Sequence, residues 1–78
     1  MKNSELLKEI AKQKLTLYEL GHTIEFYYYD VNNVFHIIDK YNSDDMLILT
    51  ESEVNAAENI TKILIKAVFE YERKKRKL

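Results

Sequence analysis

Residues 22–49 read HTIEFYYYDVNNVFHIIDKYNSDDMLIL, and this stretch decides the fold of the chain. Its β-branched and aromatic residues suit a pleated strand, whereas the Asn, Asp and Ser residues between the apolar runs are typical of turns. We therefore predict three antiparallel strands, at residues 22–30, 34–41 and 46–49. The predicted turns lie at residues 32–33 and 42–45.

The register of the first hairpin follows from its predicted loop. A two-residue loop at residues 32–33 pairs Val31 with Val34. In the same register Glu25 lies opposite Lys40, and this pairing of opposite charges supports it. Side chains alternate between the two faces of a sheet. One face then carries Ile24, Phe26, Tyr28, Phe35 and Ile37, and the other carries Tyr27, Tyr29, Val31, Val34, His36 and Ile38.

A first helix is predicted from Asn3 to about Glu19, because apolar residues recur there at helical spacing. Asn3 or the following serine is available as its N-cap. Gly21, the single glycine of the chain, suits the left-handed residue that ends a helix. Residues 15–18 alternate in polarity like a strand, so the alternative is a helix that stops near Lys14.

The second helix is predicted to begin at the sequence Thr50-Glu51-Ser52-Glu53, which matches a capping box. Its apolar stripe comprises Val54, Ala57, Ile60, Leu64, Ala67, Val68 and Tyr71. We predict a single α+β domain over residues 1–78 in the order α-β-β-β-α, with a basic tail at 72–78 that frays. Both helices are expected to cover one face of the three-stranded sheet.

Both faces of that sheet are apolar, and this leaves two arrangements open. With one helix on each face, Tyr27, Tyr29 and His36 are ordinary core residues. With both helices on one face, the tyrosines form an exposed patch suited to binding another protein. Residues 63, 65 and 69 (Ile63, Ile65 and Phe69) also widen the stripe of the second helix, which favours a homo-oligomer.

Charge is separated along the chain although the net charge is only −1. Residues 16–61 hold nine acids and one base, net −8, residues 1–15 carry net +2, and residues 62–78 carry net +5. An acidic middle segment attracts a basic protein partner. The predicted partner-binding residues are Asp30, Asp44, Asp45, Glu51, Glu53, Tyr27 and Tyr29. The alternative is nucleic-acid binding through the basic cluster Arg73, Lys74, Lys75, Arg76 and Lys77.

The motifs of common active sites are absent from the sequence. There is no Cys, no Gly-rich phosphate loop and no serine in a nucleophile elbow. His22 and His36 are too few for a zinc site without carboxylate ligands. We therefore expect a non-enzymatic protein without cofactor or metal. An apolar run of membrane-spanning length and a signal peptide are also missing, so we expect a cytoplasmic protein.

Two resemblances bear on function. The α-β-β-β-α order resembles the double-stranded-RNA-binding domain, but that family has a Lys-rich start to its last helix where this chain has residues 50–53, TESE. Residues 3–10, NSELLKEI, and 31–33, VNN, are similar to small acidic phage proteins that inhibit a CRISPR nuclease. That likeness implies acidic strand loops occupying a basic DNA-binding site, and the basic C-terminal cluster departs from it.

Overall fold

The computed structural model describes residues 1–76, which form three helices and one antiparallel sheet. The elements are α1 (Asn3–Lys12), β1 (Leu17–Glu19), β2 (His22–Tyr29), β3 (Val34–Asp39), β4 (Asp45–Thr50), α2 (Glu51–Ala56) and α3 (Ile60–Arg76). The strands lie in the order β1-β2-β3-β4. The α+β class is confirmed. The prediction of three strands is wrong, because residues 17–19 form a fourth.

The additional strand β1 pairs with β2 through a two-residue turn. Glu19 lies opposite His22, and the turn residues Leu20 and Gly21 have φ of 50° and 84°. Two successive positive φ values define the type I′ turn, whose twist matches that of paired strands. Gly21 therefore takes the left-handed conformation predicted for it, but it closes a hairpin rather than a helix.

Helix α1 ends at Lys12, as in the shorter of the two alternatives. Lys14 has φ of 57°, its backbone N–H donates to the Ala11 carbonyl, and that of Leu15 donates to the Ile10 carbonyl. This pattern is a Schellman motif in which a lysine takes the left-handed position usually held by glycine. The sequence signal for the end of the helix was therefore weak.

The hairpin of β2 and β3 has a longer loop than predicted. Tyr29 lies opposite Val34, so residues 30–33 form a four-residue turn, and Glu25 faces Ile38 rather than Lys40. The predicted register is therefore wrong by two positions. Because side chains alternate with a period of two, this error leaves the predicted residues that lie in β2 and β3 on their predicted faces. Val31 is the exception, because it lies in the turn rather than in the sheet.

The start of α2 follows the predicted capping box. The Thr50 hydroxyl accepts from the Glu53 backbone N–H at 3.1 Å, and the Glu53 carboxylate accepts from the Thr50 N–H at 2.9 Å. The predicted single helix is nevertheless broken. Residues 57–59 are not helical, and Asn59 caps α3 by accepting from the Lys62 N–H at 3.0 Å.

The break between α2 and α3 is held by α1. The Asn3 side-chain amide donates to the carbonyls of Val54 and Ala57 at 3.1 and 2.8 Å. In return the Asn55 amide oxygen accepts from the Ser4 backbone N–H at 2.9 Å. Asn3 thus caps the end of α2, and the prediction that Asn3 or Ser4 caps its own helix is wrong.

All three helices lie on one face of the sheet and bury a single core. The core consists of Leu7, Ile10, Ile24, Phe26, Phe35, Ile37, Met46, Leu49, Val54, Ile63, Leu64, Ala67, Val68 and Tyr71. Of the residues predicted to widen the helical stripe, Ile63 belongs to this core, Ile65 is half-buried and Phe69 is exposed. No helix formed by residues 1–76 packs on the opposite face of the sheet.

Replacing Thr50 with Ala removes the hydroxyl that caps α2. We expect the free energy of unfolding to fall by about 1 kcal/mol, the usual cost of losing such a cap. Urea denaturation followed by circular dichroism measures this loss. Thr61→Ala is the matched control, because Thr61 is exposed on α3. Equal losses in the two variants would contradict a capping role for Thr50.

A candidate protein-binding face

The uncovered sheet surface, called the open face below, is mostly apolar. Its side chains in β2, β3 and β4 are Glu25, Tyr27, Tyr29, Val34, His36, Ile38, Asp45 and Ile48. They alternate with those of the core along β2 and β3, whereas a register shift beside Asp45 interrupts the alternation in β4. Tyr27, Tyr29 and Ile48 are 46%, 49% and 49% exposed. Monomeric proteins rarely leave such a patch in water unless it binds something.

A row formed by Tyr29, His36 and Asp45 crosses the open face from β2 to β4. The rings of Tyr29 and His36 meet nearly edge to face, with centroids 4.7 Å apart. His36 Nδ1 lies 3.2 Å from Asp45 Oδ1, and Tyr27 stands directly opposite His36 in the register. Edge-to-face rings attract each other beyond their burial. The row is therefore a preorganised surface on rigid strands.

The charges of the open face are of one sign. Glu25 on β2 and Asp45 on β4 contribute two carboxylates. Among the strand residues that point to this side within residues 1–76, none is Lys or Arg. The strand residues of the open face therefore offer apolar contact area together with two carboxylates.

The five predicted acidic site residues do not form one surface. Asp30 lies in the turn after β2, and Glu51 and Glu53 begin α2 at the same end of the sheet, where the Glu51 N–H donates to the carbonyl of turn residue 33. Asp44 and Asp45 lie at the opposite end of β4. A strand of six residues places these two groups about 20 Å apart.

Glu51 and Glu53 are also engaged within the protein. Lys8 Nζ donates to Glu51 Oε1 at 2.9 Å, and the Tyr28 hydroxyl lies 3.4 Å from the other carboxylate oxygen. The hydrogen bond from Lys8 lowers the pKa of Glu51 and raises the pKa of Lys8. The backbone N–H of Thr50 lowers the pKa of Glu53. These carboxylates stabilise the start of α2.

Asp44 and Asp45 lie beside the basic end of α3. The Tyr71 hydroxyl donates to Asp44 Oδ2 at 3.3 Å. Both aspartates line a shallow depression together with Tyr71, Lys74 and Lys75. Part of the negative charge that is concentrated in the sequence is thus balanced by bases from the chain end.

The predicted nucleic-acid-binding cluster makes contacts within the protein. Arg73 forms an ion pair with Glu70, Lys74 Nζ lies 3.5 Å from the Met46 carbonyl oxygen, and Lys75 Nζ lies 4.4 Å from the Tyr71 ring centroid. Arg76 is exposed, and Lys77 lies outside the described residues. Nucleic-acid binding by this cluster stays a prediction.

A polar network around His22 was missed from the sequence. His22 Nδ1 lies 3.2 Å from Asp39 Oδ2, and its Nε2 lies 2.9 Å from Glu72 Oε1. The Tyr71 ring meets the imidazole edge to face. The two carboxylates contact different ring nitrogens and do not converge on one point, so the group ties α3 to the sheet. Its members are 17 and 50 positions apart, which leaves no local signal.

Asp39 is the buried carboxylate of this network, 5% exposed. Burial acts to raise its pKa, but the backbone N–H groups of Asn42 and Tyr41 and the ring of His22 donate to the carboxylate. The net effect is a pKa below its ordinary value of 3.8. The ionised form is therefore stabilised by folding.

Asp39→Asn removes this charge but keeps one oxygen that accepts from the turn. We expect a loss of about 1–3 kcal/mol in the free energy of unfolding at pH 7, as for other buried charged hydrogen bonds. A depressed native pKa stabilises the protein above the unfolded pKa and loses that effect as the pH falls below it. The gap in unfolding free energy between wild type and variant should therefore narrow below about pH 4.

Denaturant titrations between neutral and acidic pH measure this gap. Asp30→Asn is the control, because Asp30 is exposed in a turn. A gap that stays constant through the acidic range would contradict the assignment of the lowered pKa to Asp39.

Comparison of the chain with protein-family models, curated proteins and solved structures found no match. Within residues 1–76, no helix has the length and apolar character needed to cross a membrane. The same residues contain no group of three His, Cys, Asp or Glu side chains placed to hold a metal ion.

Proposed function

We propose that the protein is a non-enzymatic binding module that contacts a protein partner through the open face. The observation that carries the proposal is the half-exposed set of Tyr27, Tyr29 and Ile48 on a sheet face without a covering helix. Tyrosine is enriched at the centres of protein interfaces because it gives a large rigid contact with a polar tip.

The chemistry of the face also supports a particular class of partner. An apolar centre with the carboxylates of Glu25 and Asp45 is complementary to a surface that has apolar residues beside Lys or Arg. Proteins that bind nucleic acid carry such basic surfaces, because they neutralise phosphates. The proposed partner is therefore a basic nucleic-acid-handling protein, and the proposed effect is inhibition by occupation of its basic site, as in phage-type inhibitors.

The geometry of the face keeps the cost of binding low. Its side chains project from three paired strands, and Tyr29 is already in contact with His36 in the free protein. Ordering of flexible side chains is a major cost of association, so a face with preordered aromatic rings retains more of its contact energy. A partner is expected to dock without rearranging the fold.

A photo-crosslinking residue placed at position 29 tests the proposal. We expect a covalent adduct with one host protein, and a lower yield as salt is raised, because the contact includes carboxylates. The matched control is position 69, since Phe69 is 62% exposed but lies on α3, on the helical side of the molecule. Mass spectrometry of the adduct identifies the partner and the peptide that is crosslinked.

Two results would overturn the proposal. One is equal adduct formation from positions 29 and 69, which would reflect nonspecific capture. The other is a specific adduct whose formation is unchanged in the double variant Tyr27→Ser and Ile48→Ser, because these substitutions remove two of the exposed apolar side chains that carry the proposal.

A further inference from the structure

The strand β4 forms a free edge of the sheet, and its outward hydrogen-bonding groups can be identified. The Lys40 N–H donates to the Thr23 carbonyl toward β2, and the Asp39 N–H donates to the Asp44 carbonyl toward β4. Antiparallel strands alternate these directions residue by residue. Leu47 and Leu49 therefore bond to β3, and Ile48 between them points its N–H and C=O away from the sheet.

Two side chains contact outward backbone groups on either side of Ile48, at Thr50 and at Met46. The Glu53 carboxylate accepts from the Thr50 N–H at 2.9 Å. Lys74 Nζ lies 3.5 Å from the Met46 carbonyl oxygen. An acceptor thus sits at one end of the free edge and a donor at the other, while the hydrogen-bonding groups of Ile48 have no partner within residues 1–76.

We propose that this edge pairs with the β4 edge of a second copy of the chain. In an antiparallel pair related by a two-fold axis, Ile48 lies opposite Ile48 of the second copy, and the two exchange both N–H···O=C bonds. Leu47 then lies opposite Leu49 of the second copy. The product is one continuous sheet of eight strands, four from each copy.

The charges beside the edge are complementary in this register. Met46 of one copy comes opposite Thr50 of the other, so Lys74 of one copy lies beside Glu53 of the other. The two-fold axis produces this ion pair twice. On pairing, Glu53 releases the Thr50 N–H and Lys74 releases the Met46 carbonyl. These two backbone groups then bond to the second strand instead. Asp45 also approaches Glu51 of the second copy, but His36 and Lys8 contact these two carboxylates.

A groove lined by four apolar and four charged residues runs beside the same edge. Leu49, Ala56, Ala57 and Ile63 form its apolar lining, and its volume is ≈ 390 Å³. The side chain that lies opposite Leu49 in the proposed pair is Leu47 of the second copy, which points to the helical side of the sheet. Strand addition gains affinity from backbone bonds and specificity from such side-chain pockets. In the proposed dimer, Leu47 of the second copy thus lies at the groove.

The centre of the edge is open to strand pairing. Prolines and lysines on the strand are usual means of protection, and β4 has neither. Its one irregularity is a register shift against β3 between Asp45 and Leu47, and residues 47–49 pair regularly. A chain of 78 residues without Cys also lacks a disulfide to stabilise a small core. Self-association through the β4 edge supplies that stabilisation, and it does not use Tyr27 or Tyr29 of the open face.

Sedimentation equilibrium of the whole chain tests the proposal. We expect a monomer–dimer equilibrium within the range of about 1 µM to 1 mM, typical of a small interface. Lys74→Glu should weaken the dimer at least about tenfold, because it sets two carboxylates side by side. Adding Glu53→Lys to the same chain reverses both charges and should restore the dimer. Arg76→Glu, on the same helix, is the control for net charge.

Ile48→Pro gives a second, independent readout. It removes the outward N–H without removing a hydrogen bond between β3 and β4, and proline is tolerated at such edge positions. We expect a folded monomer by circular dichroism and sedimentation, whereas Ile48→Val should remain dimeric.

Because Glu53 also caps α2, Glu53→Gln keeps the capping oxygen and tests the charge alone; it should weaken the dimer without unfolding it.

Two outcomes would overturn the proposal. One is a wild-type chain that stays monomeric up to about 1 mM, a concentration at which even weak pairs associate. The other is a dimer that is unaffected by Ile48→Pro and by Lys74→Glu, which would place the contact elsewhere. The protein-binding proposal is separate, because crosslinking from position 29 is scored by the identity of a foreign partner.

Discussion

The direct passage of β4 into α2 at Thr50 constrains the rest of the structure. Thr50 is the last residue of the strand and the N-cap of the helix, so no loop separates the two elements. The chain must turn onto the adjacent face of the sheet at this point. Helix α3 follows after a three-residue break, and α1 is joined to α2 by the reciprocal contacts of Asn3 and Asn55. The three helices consequently share one face and leave the other to solvent.

Features that depend on alternation or on local capping were predictable from the sequence. The assignment of residues to the two sheet faces withstood a register error of two positions because the strand period is also two. The capping box was predictable because all its partners lie within four consecutive residues, 50–53. Whether the helices share a face was left open, because both faces are apolar and periodicity alone does not decide between them.

Features that depend on distant contacts were not predictable. Strand β1 has three residues and is closed by a turn that requires positive φ at Leu20, a residue that gives no turn signal. The apolar residues keep their helical spacing through the break after α2, so the sequence gives no signal of it. The break is held by Asn3, which is more than fifty positions away. The predicted acidic site residues of the middle segment lie at the two opposite ends of β4. The ion pair between Lys8 and Glu51 joins a base of residues 1–15 to an acid of the middle segment.

The contacts of α1 also determine when this helix becomes stable during synthesis. Asn3 and Ser4 bond to groups 51 to 54 positions later in the chain. At a translation rate of about 5–20 residues per second, those groups leave the ribosome several seconds after α1. An isolated helix of ten residues is marginal in water, so the nascent chain exposes Leu7 and Ile10 throughout that interval. Helix α1, although it is made before these partners, is therefore among the last segments to reach its native place.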